Sequence, residues 1–246
     1  MIRRHDGQAP VALVTGGGRG LGRAIALELA AAGCVVAVNY VNNQEAAKSV
    51  VAAIRRDGGR AEAFRADVGD PSTASELVAA VEANLGPVDV LVNNAGIGPR
   101  LDLFKTDQGY FDEVFSANVR SAYQMTQNVI EGMRDRKWGR LIFMSSLAAR
   151  TGGLISAPYA ASKAAVEGLM HYYATHLLRF NITANAVSPA LIDTDIFKGV
   201  ALPPASSLPL GRLGRPDEVA RVVSMLVANE YVTGQTIQVS AGRYHT

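Results

Sequence analysis

Tyr159-Ala-Ala-Ser-Lys163 sets a phenol and an ammonium four residues apart. On a helix such residues face each other, with Cβ atoms about 5–6 Å apart. A cation that close favours the phenolate and lowers a tyrosine pKa that is otherwise about 10. A phenol tuned towards neutrality can pass a proton to or from an oxygen atom. The same spacing also describes an ordinary surface pair, so the surrounding chain must decide between the two.

A second segment with chemical potential is Thr15-Gly-Gly-Gly-Arg-Gly-Leu-Gly22, which joins an apolar run to the helix-forming Arg23-Ala-Ile-Ala-Leu-Glu-Leu-Ala. Glycines let a backbone approach a pyrophosphate, and a helix N-terminus supplies free N–H groups and partial positive charge. Between a first strand and a first helix, this turn is expected to bind a dinucleotide. Thr15, Gly16, Gly18, Arg19, Gly20, Leu21 and Gly22 are the candidate contacts. The next strand ends Val38-Asn-Tyr-Val-Asn-Asn43. Asn39 stands where a carboxylate would hold an adenosine ribose, and no acid there would repel a 2′-phosphate. Arg19 could pair with that phosphate through a charge-assisted fork. NADP(H) is therefore expected over NAD(H), the alternative being a merely solvated Arg19.

These groups need a scaffold, and the apolar pattern describes one. Seven short runs read as strands: Val11–Thr15, Val35–Tyr40, Ala61–Ala66, Val88–Asn93, Arg140–Ser145, Thr183–Ser188 and Thr236–Val239. Most are continuously apolar, as in parallel strands buried on both faces. Helices are expected over Gly22–Ala32, Gln44–Asp57, Ser72–Leu85, Tyr110–Arg134, Pro158–Arg179 and Pro216–Ala228. Asp70-Pro71 reads as an N-cap with Pro in the first turn, and Gly33 and Gly58 as helix-terminating glycines. Strand–helix alternation along residues 1–246 implies one α/β domain, a doubly wound Rossmann-type parallel sheet with helices on both faces. Right-handed crossovers then put the ligand crevice at the carboxyl ends of the strands.

Bulk properties exclude other classes. A net charge of +2 with scattered basic residues leaves no nucleic-acid footprint. The densest basic run, Arg134-Asp-Arg-Lys137, reads as a solvated helix end. The lone Cys34 forms no disulfide framework and reads as a buried thiol. No apolar stretch reaches the roughly 18 residues that span a bilayer. Met1–Asp6 precedes no apolar segment of signal-peptide type, so a cytoplasmic setting is expected. The four histidines show no metal-ligand spacing, and no metal is expected. His171 and His176 read as packing or interface residues.

The chain resembles the short-chain dehydrogenase/reductase family along nearly its whole length. The matching landmarks are Thr15–Gly22, Asp67-Val68, Asn93-Asn94-Ala95-Gly96, Asn118, Ser146 and Tyr159/Lys163. The resemblance implies Tyr159 as acid/base and Lys163 as the lysine that holds the nicotinamide ribose and lowers the tyrosine pKa. It implies Ser146 as the donor to the substrate oxygen and Asn118 as the holder of a relay water. Ser145, the competitor, would face the other way in a strand. Asp67 resembles the residue that meets the adenine amino group, with Val68 beside it, while Asn94, Ala95 and Gly96 line the adenosine side. Pro189, Ile192 and Thr194 resemble the segment that binds the carboxamide and phosphates.

Two departures stand out: Ser188-Pro189-Ala190 where the family reads Pro-Gly, and Ser240-Ala241-Gly242 for a commoner Asp-Gly-Gly. Were φ positive at 190, Ala would be strained there. The general pattern is nearest that of 3-oxoacyl-[acyl-carrier-protein] reductases, and a 3-oxoacyl thioester is one implied substrate. Lys137 would supply a basic residue near the cleft mouth, while Phe180, with Arg179 beside it, replaces another. A small-molecule ketone reductase, a polyol dehydrogenase or a non-catalytic cofactor-binding homologue are the alternatives. Thr194–Leu210, apolar and proline-stiffened, reads as a substrate flap. Relatives assemble as tetramers through the two long helices, so a homotetramer, or a homodimer, is expected.

Overall fold

The computed structural model describes residues 1–98, 100, 102–197 and 202–244. Seven strands form one parallel sheet in the order β3-β2-β1-β4-β5-β6-β7. They are β1 Val11–Val14, β2 Val35–Tyr40, β3 Ala61–Arg65, β4 Val88–Asn93, β5 Gly139–Met144, β6 Ile182–Pro189 and β7 Thr236–Val239. The order reverses between β1 and β4, which opens a crevice above their carboxyl ends.

The strands alternate their apolar side chains between two cores. Ala12, Val14, Val36, Val38, Val90, Val92, Ile142 and Met144 pack against α1 (Gly20–Ala31), α2 (Gln44–Arg56) and α8 (Pro216–Ala228). Leu13, Ala37, Leu91, Leu141, Phe143 and Ala184 face α3 (Pro71–Leu85), α5 (Ser121–Arg136) and α7 (Ala157–Leu177). Helix starts follow the capping residues. The Asp70 side chain accepts from Ser72 N at 2.9 Å, with Pro71 next, and Asn43 accepts from Ala46 N at 2.9 Å. Gly33 and Gly58 take positive φ just past α1 and α2, as expected. Cys34 is buried, and burial pushes its thiol up to about 12.

The expected helix over Tyr110–Arg134 is present and extends from Gln108 to Arg136, but it changes its winding midway. It divides into α4 (Gln108–Phe115), a π turn over Ser116–Arg120, and α5. A short helix that the periodicity did not register, α6 (Ala148–Thr151), follows β5.

Two charge clusters, each built on one buried charged residue, tie down the amino ends of the strands. Asp89, fully buried in β4, accepts from Val11 N at 3.1 Å and pairs with Arg4 at 3.2 Å and Arg136 at 3.3 Å. The basic run at 134–137 is thus solvated only in part. Arg140, also fully buried, pairs with Glu230 at 2.7 Å and stacks 4.1 Å from the Trp138 ring. Among the described residues no helix is long and apolar enough to cross a membrane.

Candidate active site

The glycine turn is held from below by Thr15. Its Oγ1 accepts from Asn94 N and Ala95 N, each at 2.9 Å, and donates to Val92 O at 3.2 Å. Asn94 Nδ2 donates to Thr15 O at 2.8 Å and Gly16 O at 3.2 Å, binding the ends of β1 and β4 together. A Cβ on Gly22 would fall 2.2 Å from Gly16 O, so only glycine lets the turn close on α1. Arg19, exposed and extended at the N-cap, makes no side-chain capping bond. The first-turn N–H groups, including those of Gly20, Leu21 and Gly22, remain for a ligand. Gly18 lies against the backbone of Ala47. This uncapped helix end, reached over a glycine-rich turn, fits a pyrophosphate.

Asn39 does something the spacing did not reveal. It is buried, its Oδ1 accepts from Gly16 N at 3.2 Å, and its Nδ2 donates to Ala66 O at 3.0 Å. Its side chain braces the turn against β3 and is not displayed to a ribose. Asp67, at the end of β3, is exposed and accepts from Gly69 N at 3.0 Å, while Val68 is buried in the core beside it.

Four further side chains converge at the ends of β4, β5 and α7. Ser156 caps α7, accepting from Tyr159 N, and starts the helix so that Tyr159 and Lys163 share a face one turn apart. Lys163 Nζ lies 5.7 Å from the Tyr159 ring centre and donates to Met144 O at 2.8 Å. Ser146, just past β5, lines the same cleft as Tyr159, and its Oγ accepts from Ala148 N at 3.2 Å. Ser145 faces away from it, its Oγ donating to Glu167 at 2.8 Å. The choice of Ser146 over Ser145 therefore agrees with the alternation of a strand.

The π turn carries Asn118 into the cluster. Its Oδ1 accepts from Ile97 N at 2.8 Å, and its Nδ2 donates to Ile97 O at 3.0 Å and Ser162 Oγ at 2.9 Å. Gly96 packs beneath it, where a Cβ would lie 2.8 Å from Asn118 Oδ1 and 3.6 Å from Lys163 Nζ.

The electrostatics correct one expectation. Burial raises the Tyr159 pKa above its ordinary value, and the neighbouring Ser146 hydroxyl only opposes this. Lys163 is itself almost wholly buried and pushed down to about 8. Desolvation disfavours both charged forms, and it outweighs the attraction that spacing alone suggests.

A cleft of about 310 Å³ opens over the cluster. Leu21, Ser146, Tyr159, Pro189, Ile192 and Thr194 line it, bringing both ends of the expected site together. Ala190 is not among the positive-φ residues, and its N–H donates to Val239 O at 3.0 Å, so it carries no strain. The strain falls instead at Ala241, with φ 50°. Of the expected flap, residues 198–201 lie outside the described residues. Phe197 and Leu208 pack inwards, whereas Leu210 is exposed.

The placement of Lys137 needs correction. It caps α5 immediately before β5, and Arg179 and Phe180 precede β6, so all three lie at the amino ends of the strands. The cleft is at the other end of the sheet. Arg243 instead lines the cleft, and the sequence offered no periodicity or motif to mark it.

A doubly wound sheet with a glycine-turn cradle and a Ser–Tyr–Lys cluster at its switch point defines a nicotinamide-dinucleotide oxidoreductase. A family model described as enoyl-(acyl carrier protein) reductase matches residues 16–244. The chain belongs to the short-chain dehydrogenase/reductase family. It is 39% identical over 241 residues to an acetoacetyl-CoA reductase of Shinella zoogloeoides, covering 95% of this chain and 98% of that one. It is 39% identical over 238 residues to a 3-oxoacyl-[acyl-carrier-protein] reductase of Synechocystis, covering 95% and 96%. A gluconate 5-dehydrogenase of Burkholderia cenocepacia, solved with NADP and tartrate, superposes with a TM-score of 0.87 at 30% identity, covering 95% and 94%.

Proposed function

We propose that this chain is an NADP(H)-dependent reductase of 3-oxoacyl thioesters. The observation that carries the reading is the Ser146–Tyr159 hydroxyl pair, which opens into an apolar cleft above a buried Lys163. Bound nicotinamide supplies the hydride; the protein positions and polarises. Ser146 and Tyr159 donate to the carbonyl oxygen, on which negative charge builds, and Tyr159 delivers the proton. Lys163 holds the nicotinamide ribose, and Asn118 holds the water through which the proton is replaced. Ile192, Thr194 and Pro189 seat the carboxamide end, while Asp67, Val68, Ala95 and Gly96 line the adenosine end.

The preference for NADP(H) rests on exposed Arg19 together with the absence of a carboxylate at the end of β2. The apolar lining from Leu154, Ile155, Ile196 and Phe197 suits an acyl chain, and Arg243 at the cleft suits an anionic carrier arm. The names of the acetoacetyl-CoA and 3-oxoacyl reductase relatives agree with that substrate class. A small hydrophobic ketone is the second reading, favoured by the removal of Lys137 from the cleft mouth. The non-catalytic alternative loses its only support with the relaxed backbone at Ala190. The whole chain acts as one dinucleotide-binding unit, residues 194–197 and 202–210 belong to its flap, and a reducing cytoplasm is its setting.

Absorbance of reduced nicotinamide, followed with acetoacetyl thioesters and simple ketones, tests this. Tyr159→Phe is expected to lower turnover about 10²–10⁴-fold with cofactor affinity retained. Arg19→Ala is expected to weaken NADPH but not NADH. Unchanged turnover in the first variant defeats the mechanism, and equal losses for both cofactors in the second defeat the phosphate argument.

A further inference from the structure

Glu167 is a carboxylate buried in α7, one turn beyond Lys163. It touches neither the cleft nor the glycine turn, and none of the roles above uses it. Its two oxygens are both engaged. Oε1 accepts from Ser145 Oγ at 2.8 Å, and Oε2 accepts from Arg150 Nη2 at 2.8 Å. Ser145 also reaches Lys163 O at 3.3 Å, so its hydroxyl faces only α7. Ser145 opens the segment that leaves β5 and carries Ser146, and Arg150 lies in α6 near its close. Between them, Ser146, Leu147 and Ala148 form one wall of the cleft. A single carboxylate thus ties two points of the serine-bearing turn to the helix that carries Tyr159 and Lys163.

Such a tie has a chemical consequence. A buried carboxylate needs partners, and both of its partners here lie on that one turn. Charge-assisted bonds to Ser145 and Arg150 are the shorter, stronger kind, and they resist displacement of the turn. We propose that Glu167 is a positioning residue, fixing the Ser146 hydroxyl against the Tyr159 hydroxyl through Ser145 and Arg150. The proposal rests on the reading of Ser146 and Tyr159 as the groups that meet the carbonyl oxygen. Loss of the tie lets Ser146 drift, and small displacements of a reacting group cost up to about 10²-fold in rate.

A double-mutant cycle on kcat tests it. Glu167→Ala is expected to lower kcat about 10- to 100-fold, with NADPH affinity changed less than about threefold. In a Ser146→Ala background the same substitution is expected to cost less than about twofold, because the group it positions is already gone. Equal losses in both backgrounds, or wild-type kcat in the single variant, overturn the proposal. If Glu167→Ala does not fold, Arg150→Met and Glu167→Gln, each cutting only part of the tie, go through the same cycle with the same criteria. Crystal structures provide a readout free of turnover: in the folded variant Ser146 moves away from Tyr159, and an unmoved Ser146 refutes the positioning role. An inactive wild-type protein would instead defeat the functional reading and leave this structural comparison to decide the role of Glu167.

Discussion

Lys163 holds a charge that its surroundings resist. Burial pushes it down to about 8 from an ordinary 10.5. Between those values the unfolded chain keeps a proton that the folded chain has released. Stability therefore rises with pH across that window, and below about 8 the penalty stands in full. A depression of that size corresponds to roughly 3 kcal/mol, and loss of the Nζ bond to Met144 O returns roughly 1 kcal/mol. Lys163→Met is thus expected to stabilise the cofactor-free protein by about 1–2 kcal/mol at pH 7 while abolishing turnover. Thermal melts across pH 7–10.5 check this, and a lower Tm in the variant contradicts it. That Ser146, Tyr159 and Lys163 come together was legible, since their spacing follows from a strand, a turn and a helix. Their electrostatics were not, because spacing reports proximity and says nothing of desolvation. Asn39 shows the same limit: its type and place suggested a ribose contact, but its amide is consumed by backbone groups of the glycine turn and of the end of β3.

At the level of elements, the seven strands and their order of appearance were readable because buried parallel strands are continuous apolar runs. The π turn at Ser116–Arg120 was not, since it lies inside an unbroken helix and no proline or glycine marks it in the sequence. That turn is nevertheless what delivers Asn118 to Lys163 and Gly96, in keeping with the frequency of π turns at functional sites. The loop after β7 offers a test of backbone strain. Ala241 is held at φ 50°, where an L side chain is disfavoured by about 1–2 kcal/mol. Ala241→Gly relieves this and gives back part of it as unfolded-chain entropy. The expected outcome is a gain of about 0.5–1 kcal/mol, read as a rise in Tm of about 1–4 °C. A fall in Tm would mean that the alanine methyl packs usefully where it stands.

Across the whole molecule, the faces of α5 and α7 away from the sheet are not closed. Tyr172 is 62% and Tyr123 48% exposed, and a Cβ on Gly168 would meet nothing within 4 Å. Aromatic groups on an open helix face suit a helix-to-helix contact between copies, as the family resemblance implies. Light scattering is expected to give a tetramer, and Gly168→Glu a smaller species with its fold intact. A wild-type monomer would refute this. Oligomeric contacts leave little trace in one chain's periodicity, because the same residues that meet a partner also resemble ordinary surface.

The Asp89 and Arg140 clusters lie at the amino ends of the strands, and the cleft lies at the carboxyl ends. Rigidity and selectivity are therefore written in different residues, about one strand length apart. Changes among Leu154, Ile155, Ile196, Phe197 and Arg243 reshape the cleft without touching the residues that anchor the sheet. This geography makes the scaffold evolvable: lineages can diverge in substrate while inheriting the same foundation.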